Sequence, residues 1–243
     1  MCDVEPWKQN PLNRWIYIKS NLCDVQSIKW YPCPVEPNYE DFPVIIRPLI
    51  NLSGMGSEVV IANTVKEYRD LCCYGYFATP FITGEHTSHD FHVVNGVVQN
   101  ETIFKGYKNN EHDFVGTFLY WELVSLNCKP KITENLRLLL SKMKNYSGPL
   151  NIECIDNKII EAHLRTGDID VIEPIEKPLY LVPIWGSIYD DDILQVEKIL
   201  KQPGVLKVIK DTDSLPKTGS ILQRKALVIT KELPEELKQS STD

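Results

Sequence analysis

Leu150 to Arg165 reads Leu-Asn-Ile-Glu-Cys-Ile-Asp-Asn-Lys-Ile-Ile-Glu-Ala-His-Leu-Arg, two β-rich runs around Asp156-Asn157-Lys158. This pattern predicts a hairpin, and side-chain parity decides its register, because a one-residue slip moves every side chain to the opposite face. A two-residue turn would place Ile152 and Glu161 on one face and leave neither face clean. A three-residue loop gathers Leu150, Ile152, Cys154, Ile160, Ala162 and Leu164 on an apolar face. Asn151, Glu153, Glu161, His163 and Arg165 then share the other, with Ile155 and Ile159 beside the turn. We therefore expect the three-residue loop. It sets Glu153 directly opposite Glu161, with Cβ atoms about 5 Å apart.

Two like charges in that position repel unless something lies between them. A hard divalent cation such as Mg²⁺ would relieve the conflict, since it accepts carboxylate oxygens and keeps room for phosphate and water. The alternative is a solvated sheet face on which two glutamates are tolerated. The hairpin alone leaves both open.

The chain has 243 residues, 43% of them hydrophobic, enough for one large domain or a domain with a small lobe. Its net charge of −7 gives no electrostatic footprint for nucleic acid, so an anionic substrate needs a local basic site. Seven cysteines, odd in number and without a C-x-x-C pair, suit reduced thiols better than a disulfide framework or a zinc site. No secretory leader and no run of 18 apolar residues stands in the sequence, so a soluble, cytoplasmic protein is expected, with no membrane partner.

Along the chain, Asn13 is expected to cap a helix with the stripe Trp15, Ile18, Leu22 and Val25, followed by an extended connector through Pro32, Pro34 and Pro37. Pro43–Ile50 and Val59–Ala62 read as strands flanking the glycine turn Asn51–Ser57, and Asn63 as the cap of a second helix. Tyr76–Ile82 is a strand, and His86–Val94 with Val97–Tyr107 form a hairpin around Asn95-Gly96. Another strand, Thr117–Leu126, precedes a helix capped by Thr133. After the acidic loop 166–178 come strand 179–184, helix 190–202 and strands 205–210 and 221–230. The order is α+β, with antiparallel sheets and flanking helices rather than a βαβ series.

Single motifs are ambiguous. Gly54-Met55-Gly56 lies between strands, where backbone amides can fold over phosphates, but it also suits a plain turn. Arg47 offers a permanent cation with fork geometry. His86, His89 and His92 alternate across a strand, which disfavours joint chelation.

In order, however, Asp41–Pro48, Ser53–Ser57, Phe81-Ile-Thr-Gly-Glu-His86, the Asn-Gly hairpin and Asn151–Arg165 resemble an ATP-grasp domain. The resemblance covers roughly residues 14 to 170 and rests on the order of its five motifs. It implies that Arg47 and the lid residues Gly54, Met55 and Gly56 meet the triphosphate. Phe81 and Ile82 would offer backbone to adenine, and Glu85 would bind ribose. Glu153, Glu161 and His163 would hold Mg²⁺, and Arg165 would be catalytic. His163 stands where the family has Asn; imidazole suits Mn²⁺ or Zn²⁺ better than an amide oxygen does.

The implied partition is residues 1–42 as N-terminal helix and connector, 43–178 as the nucleotide-binding core and 179–243 as a small αβ C-terminal lobe and tail. The implied activity is ATP- and Mg²⁺-dependent activation of a carboxylate through an acyl phosphate, as in carboxylate–amine or thiol ligases. The alternative is a non-catalytic nucleotide-binding or scaffold protein. The family's usual N-terminal domain has no counterpart before Arg14. The missing wall of the acceptor site is expected from a second copy of the chain, a partner protein or a macromolecular substrate.

Overall fold

The computed structural model describes residues 3–50, 52, 59–108, 118–131, 133–143, 145–167, 177–187, 202–210, 222–234 and 237. The expected glycine turn at 51–57, except Leu52, most of the acidic loop and the expected helix 190–202, except Gln202, lie outside them. The chain divides into two compact units. One comprises Met1–Ile103 and Ser125–Ile169, the other Phe104–Val124 and Asp170–Asp243.

The first unit opens with α1 (Val4–Gln9), a 3₁₀ turn (Arg14–Tyr17) and α2 (Lys19–Gln26). Here the single helix expected from Asn13 is broken. Ile18 takes an extended conformation and bridges to Ile50, and the Asn13 side chain makes no capping bond. A tertiary strand contact outcompetes helix continuity at one residue.

A four-stranded antiparallel sheet follows, in the order β1 (Tyr31–Pro32), β4 (Tyr76–Pro80), β2 (Val44–Pro48), β3 (Val60–Ala62). α3 (Val65–Leu71) packs on it through the buried Tyr68. Its cap is Thr64 rather than Asn63. The Thr64 side chain accepts from Glu67 N–H at 3.2 Å, and the Glu67 carboxylate reaches back to the Asn63 N–H at 2.8 Å.

The second sheet of this unit contains β5 (His86–Val94), β8 (Gly148–Ile155) and β9 (Lys158–His163), all antiparallel, beside β6 (Val97–Lys108). Asn95 and Gly96 both take positive φ, as a tight primed turn requires, and place the β5–β6 hairpin where the sequence predicts it. α4 (Glu134–Lys142) starts at Thr133, whose hydroxyl accepts from Leu136 N–H at 3.2 Å. Its Leu136 and Leu139 join Leu22 and Val25 of α2 over Leu150, Ile152, Cys154, Ile159 and Ala162 in one core. Fully burying a leucine such as Leu150 contributes about 1.5–3 kcal/mol.

The second unit holds the antiparallel order β11 (Val205–Lys210), β12 (Leu222–Thr230), β10 (Tyr180–Ser187), β7 (Phe118–Cys128). Tyr120, Val182 and Val228 form its buried centre. Strands β6 and β7 are each shared between the two units. Among the described residues no helix is long and apolar enough to cross a membrane.

Candidate functional site

The hairpin β8–β9 pairs Asn151 with His163, Ile152 with Ala162 and Glu153 with Glu161, so the two glutamates do face each other. The route to that register differs from the expected loop. Asp156 and Asn157 have φ of 49° and 62° and make a two-residue primed turn, with Ile155 opposite Lys158 and Cys154 opposite Ile159. The register then shifts between Glu153 and Cys154, where Ile160 is the extra residue of a bulge. Ile159, not Ile160, therefore lies in the core, 4% exposed. A tight turn plus one bulged residue gives the same parity as a three-residue loop.

In the strand order β9 is the last strand, and its outward backbone groups would be orphaned without partners. Side chains supply them. The Gln26 amide donates to Ile159 O at 2.8 Å and accepts from Ile159 N–H at 2.7 Å. Arg47 Nη1 donates to Ile160 O at 3.1 Å, and Leu164 N–H donates to the Tyr17 hydroxyl at 2.9 Å. These bonds pin the strand that carries the polar residues.

On that polar face one ligand atom each from Glu153, Glu161 and His163 lies within 4.8 Å of the others. Among the described residues this is the one such group of three. His163 Nε2 stands 3.7 Å from Glu161 Oε1, while its Nδ1 is 3.0 Å from Asp3 Oδ2. Lys19 Nζ lies 3.0 Å from Glu161 Oε1, and His86 Nε2 is 3.2 Å from Glu153 Oε2. Burial alone would push the Glu161 carboxyl up. The Lys19 ammonium, with His163 and Arg47, more than reverses this and holds it at about 2. The donor set fits a divalent cation: two carboxylates and an imidazole nitrogen, with the nitrogen too far from Glu161 for a hydrogen bond yet near enough to share an ion.

Arg165 donates from Nε to Asp3 Oδ1 at 2.8 Å and from Nη2 to Oδ2 at 3.2 Å. Asp3 has no solvent exposure. Burial raises its carboxyl, but His163 and then Arg165 outweigh that and hold it below the ordinary carboxylate range. Arg47 is buried with its guanidinium over the Phe77 ring at 5.0 Å, and its Nε has no hydrogen-bond partner among the described residues.

Of the nucleotide residues named from sequence, Gly54, Met55 and Gly56 lie outside the described residues. Phe81 N–H is already donated to Pro43 O at 2.9 Å, so the adenine contact from that residue is left to its carbonyl. Ile82 is half-buried, and Glu85 is exposed with its carbonyl accepting from Asp156 N–H. Gly84 has φ of +134°, and a Cβ there would stand 2.7 Å from Asp156 Cβ, so glycine is required where this connection crosses the hairpin tip. The three histidines of β5 separate as alternation requires. His86 joins Glu153, and His89 Nδ1 pairs at 2.7 Å with the buried Glu101.

Sequence reasoning missed Asp3, Tyr17, Lys19 and Gln26. Asp3 stands in a polar, Pro-interrupted segment with no periodicity, and Lys19 lay inside a helix read by its apolar stripe alone. Neither carries a local signal, since each is defined by what the hairpin presents to it.

No family model and no curated protein matches the sequence significantly. Solved structures do match. The fold is that of the ATP-grasp proteins. Carboxyaminoimidazole ribonucleotide synthase from Aspergillus clavatus, complexed with ATP, superposes with a TM-score of 0.64 at 13% identity, over 98% of this chain and 76% of that one. L-amino acid ligase from Bacillus licheniformis gives a TM-score of 0.61 at 14% identity, over 93% and 69%. The biotin carboxylase domain of Hydrogenobacter thermophilus 2-oxoglutarate carboxylase, with MgADP and bicarbonate, gives 0.52 at 13% identity, over 93% and 63%.

Proposed function

We propose that this chain binds ATP together with a divalent cation and activates a carboxylate in a ligase-type reaction. The observation that carries this is the Glu153–Glu161–His163 cluster on the polar face of β8–β9, with Arg165 two residues beyond the end of β9. It lies on a fold whose solved examples include an amino acid ligase and enzymes holding ATP or MgADP. A carboxylate oxygen of the acceptor would attack the γ-phosphorus of ATP, releasing ADP. An amine or thiol would then attack the acyl phosphate and release phosphate.

When bound, the cation would neutralise phosphate oxygens and orient the triphosphate. Glu153, Glu161 and His163 would hold it. Arg47 would meet a phosphate oxygen through its guanidinium, a permanent cation with fork geometry. Gly54 to Gly56 would cover the phosphates, Ile82 and the Phe81 carbonyl would face adenine, and Glu85 would reach the ribose hydroxyls. Arg165, fixed in place by Asp3, would supply charge as the phosphoryl group is transferred. A macromolecular substrate, a partner protein or a second copy of the chain would bear the carboxylate.

A second reading has one specific observation in its favour. Glu161 already has the Lys19 ammonium and Arg165 already has Asp3, an arrangement that also suits a non-catalytic nucleotide-binding protein. Glu161→Gln tests the site itself. The variant should fold and lose about tenfold or more in ATP affinity measured with Mg²⁺ or Mn²⁺. Unchanged affinity would sink the assignment. Turnover of ATP by the wild-type chain then separates the enzyme from the binding protein.

A further inference from the structure

We propose that Asp3 is a positioning residue of the metal site, fixing the His163 ring so that Nε2 is the third protein ligand. This rests on the metal reading of the Glu153–Glu161–His163 cluster and extends it to a side chain far away in sequence. A neutral imidazole has one lone pair, and the nitrogen that bears it is set by the bond the other nitrogen makes. Asp3 is gripped at both oxygens by the Arg165 guanidinium and so meets the ring as a hydrogen-bond acceptor. With Oδ2 at 3.0 Å it takes the Nδ1–H, so that Nε2, 3.7 Å from Glu161 Oε1, is the nitrogen that can give up its proton and ligate a cation.

The carboxylate is itself rigidly placed. Arg165 grips both oxygens, the Tyr17 hydroxyl donates to Oδ1 at 3.4 Å, and the Asp3 N–H is tied to Leu52 O at 2.9 Å. Trp7 N–H donates to Asp3 O at 2.9 Å, so α1 anchors the residue from the other side. A surface ion pair needs none of this. A carboxylate that must orient a ligand does, because removing such partners costs about 10–100-fold in metal affinity. An oriented imidazole also favours a borderline ion such as Mn²⁺ over Mg²⁺.

The experiment uses the full chain and Mn²⁺ alone, with binding read by loss of the free-ion EPR signal and coordination by pulsed-EPR coupling to histidine nitrogen. The wild type should bind Mn²⁺ and show that coupling, which should survive His86→Gln and vanish in His163→Gln. Asp3→Ala should bind about 10–100-fold more weakly with the coupling reduced. Asp3→Asn keeps an acceptor oxygen of the same shape and should retain the coupling with a smaller, several-fold loss. It decides the question if Asp3→Ala does not fold. Wild-type affinity and coupling in both folded variants, or in Asp3→Asn alone where only that one folds, would overturn the role of Asp3. Mn²⁺ bound by the wild type without nitrogen coupling would overturn it too, while leaving the carboxylate site standing. No Mn²⁺ binding at all would remove the metal reading along with it.

Discussion

Glu161 and Lys19 illustrate how the site is balanced one residue at a time. The Lys19 side chain is 5% exposed and that of Glu161 15%, so neither charge is well solvated, and each depends on the other. Lys19→Met should strip a buried carboxylate of its main counter-charge and destabilise the protein by about 3 kcal/mol, read as a lowered urea midpoint. An unchanged midpoint would mean that Arg47 and His163 suffice for Glu161. Acid should act on the same group. The Glu161 carboxyl lies at about 2 in the folded protein against 4.5 ordinarily, and that of Asp3 is also lowered. The unfolded chain therefore takes up these protons first as pH falls. Their contribution is complete above about pH 4.5 and is lost progressively toward pH 2 in metal-free protein. Urea midpoints across that range should fall for the wild type and fall less for Glu161→Gln.

Among the elements, the β8–β9 hairpin shows what a sequence can and cannot disclose. The opposition of Glu153 and Glu161 was legible because only one parity separates apolar from polar side chains, and any solution must satisfy it. The bulge at Ile160 was not, since a tight turn plus an extra residue and a three-residue loop give the same parity. The Asn95-Gly96 turn and the Thr133 cap were legible because their chemistry is local. The break at Ile18 and the roles of Asp3 and Lys19 were not, because their partners, Ile50, Arg165 and Glu161, are distant in sequence. Two tests belong at this scale. Gly84→Ala should cost about 1–3 kcal/mol, because the residue sits at φ of +134° against Asp156. A thermal midpoint equal to wild type would contradict that packing. Hydrogen exchange of the segment 51–58 should slow when ATP and metal are added, if Gly54 to Gly56 meet the phosphates. Equal exchange with and without nucleotide would count against the lid role.

At the scale of the whole molecule, the proposed site belongs to a single unit. Arg47, Glu153, Glu161, His163 and Arg165 all lie in the first unit. The proposed reaction starts at a carboxylate, so the isolated chain given ATP alone is expected to bind it and turn it over slowly. Turnover should rise with self-association or with the partner that bears the acceptor. Rapid ligation of small free acids by a verified monomer would overturn that expectation. The central claim is simpler and precedes it, namely that the polar face of β8–β9 is a metal–nucleotide site. Titration calorimetry of the wild-type chain with ATP, once without divalent ions and once with Mg²⁺ or Mn²⁺, tests it directly. Saturable binding that strengthens at least tenfold with the ion is the predicted result, and no binding, or binding indifferent to the ion, would contradict it.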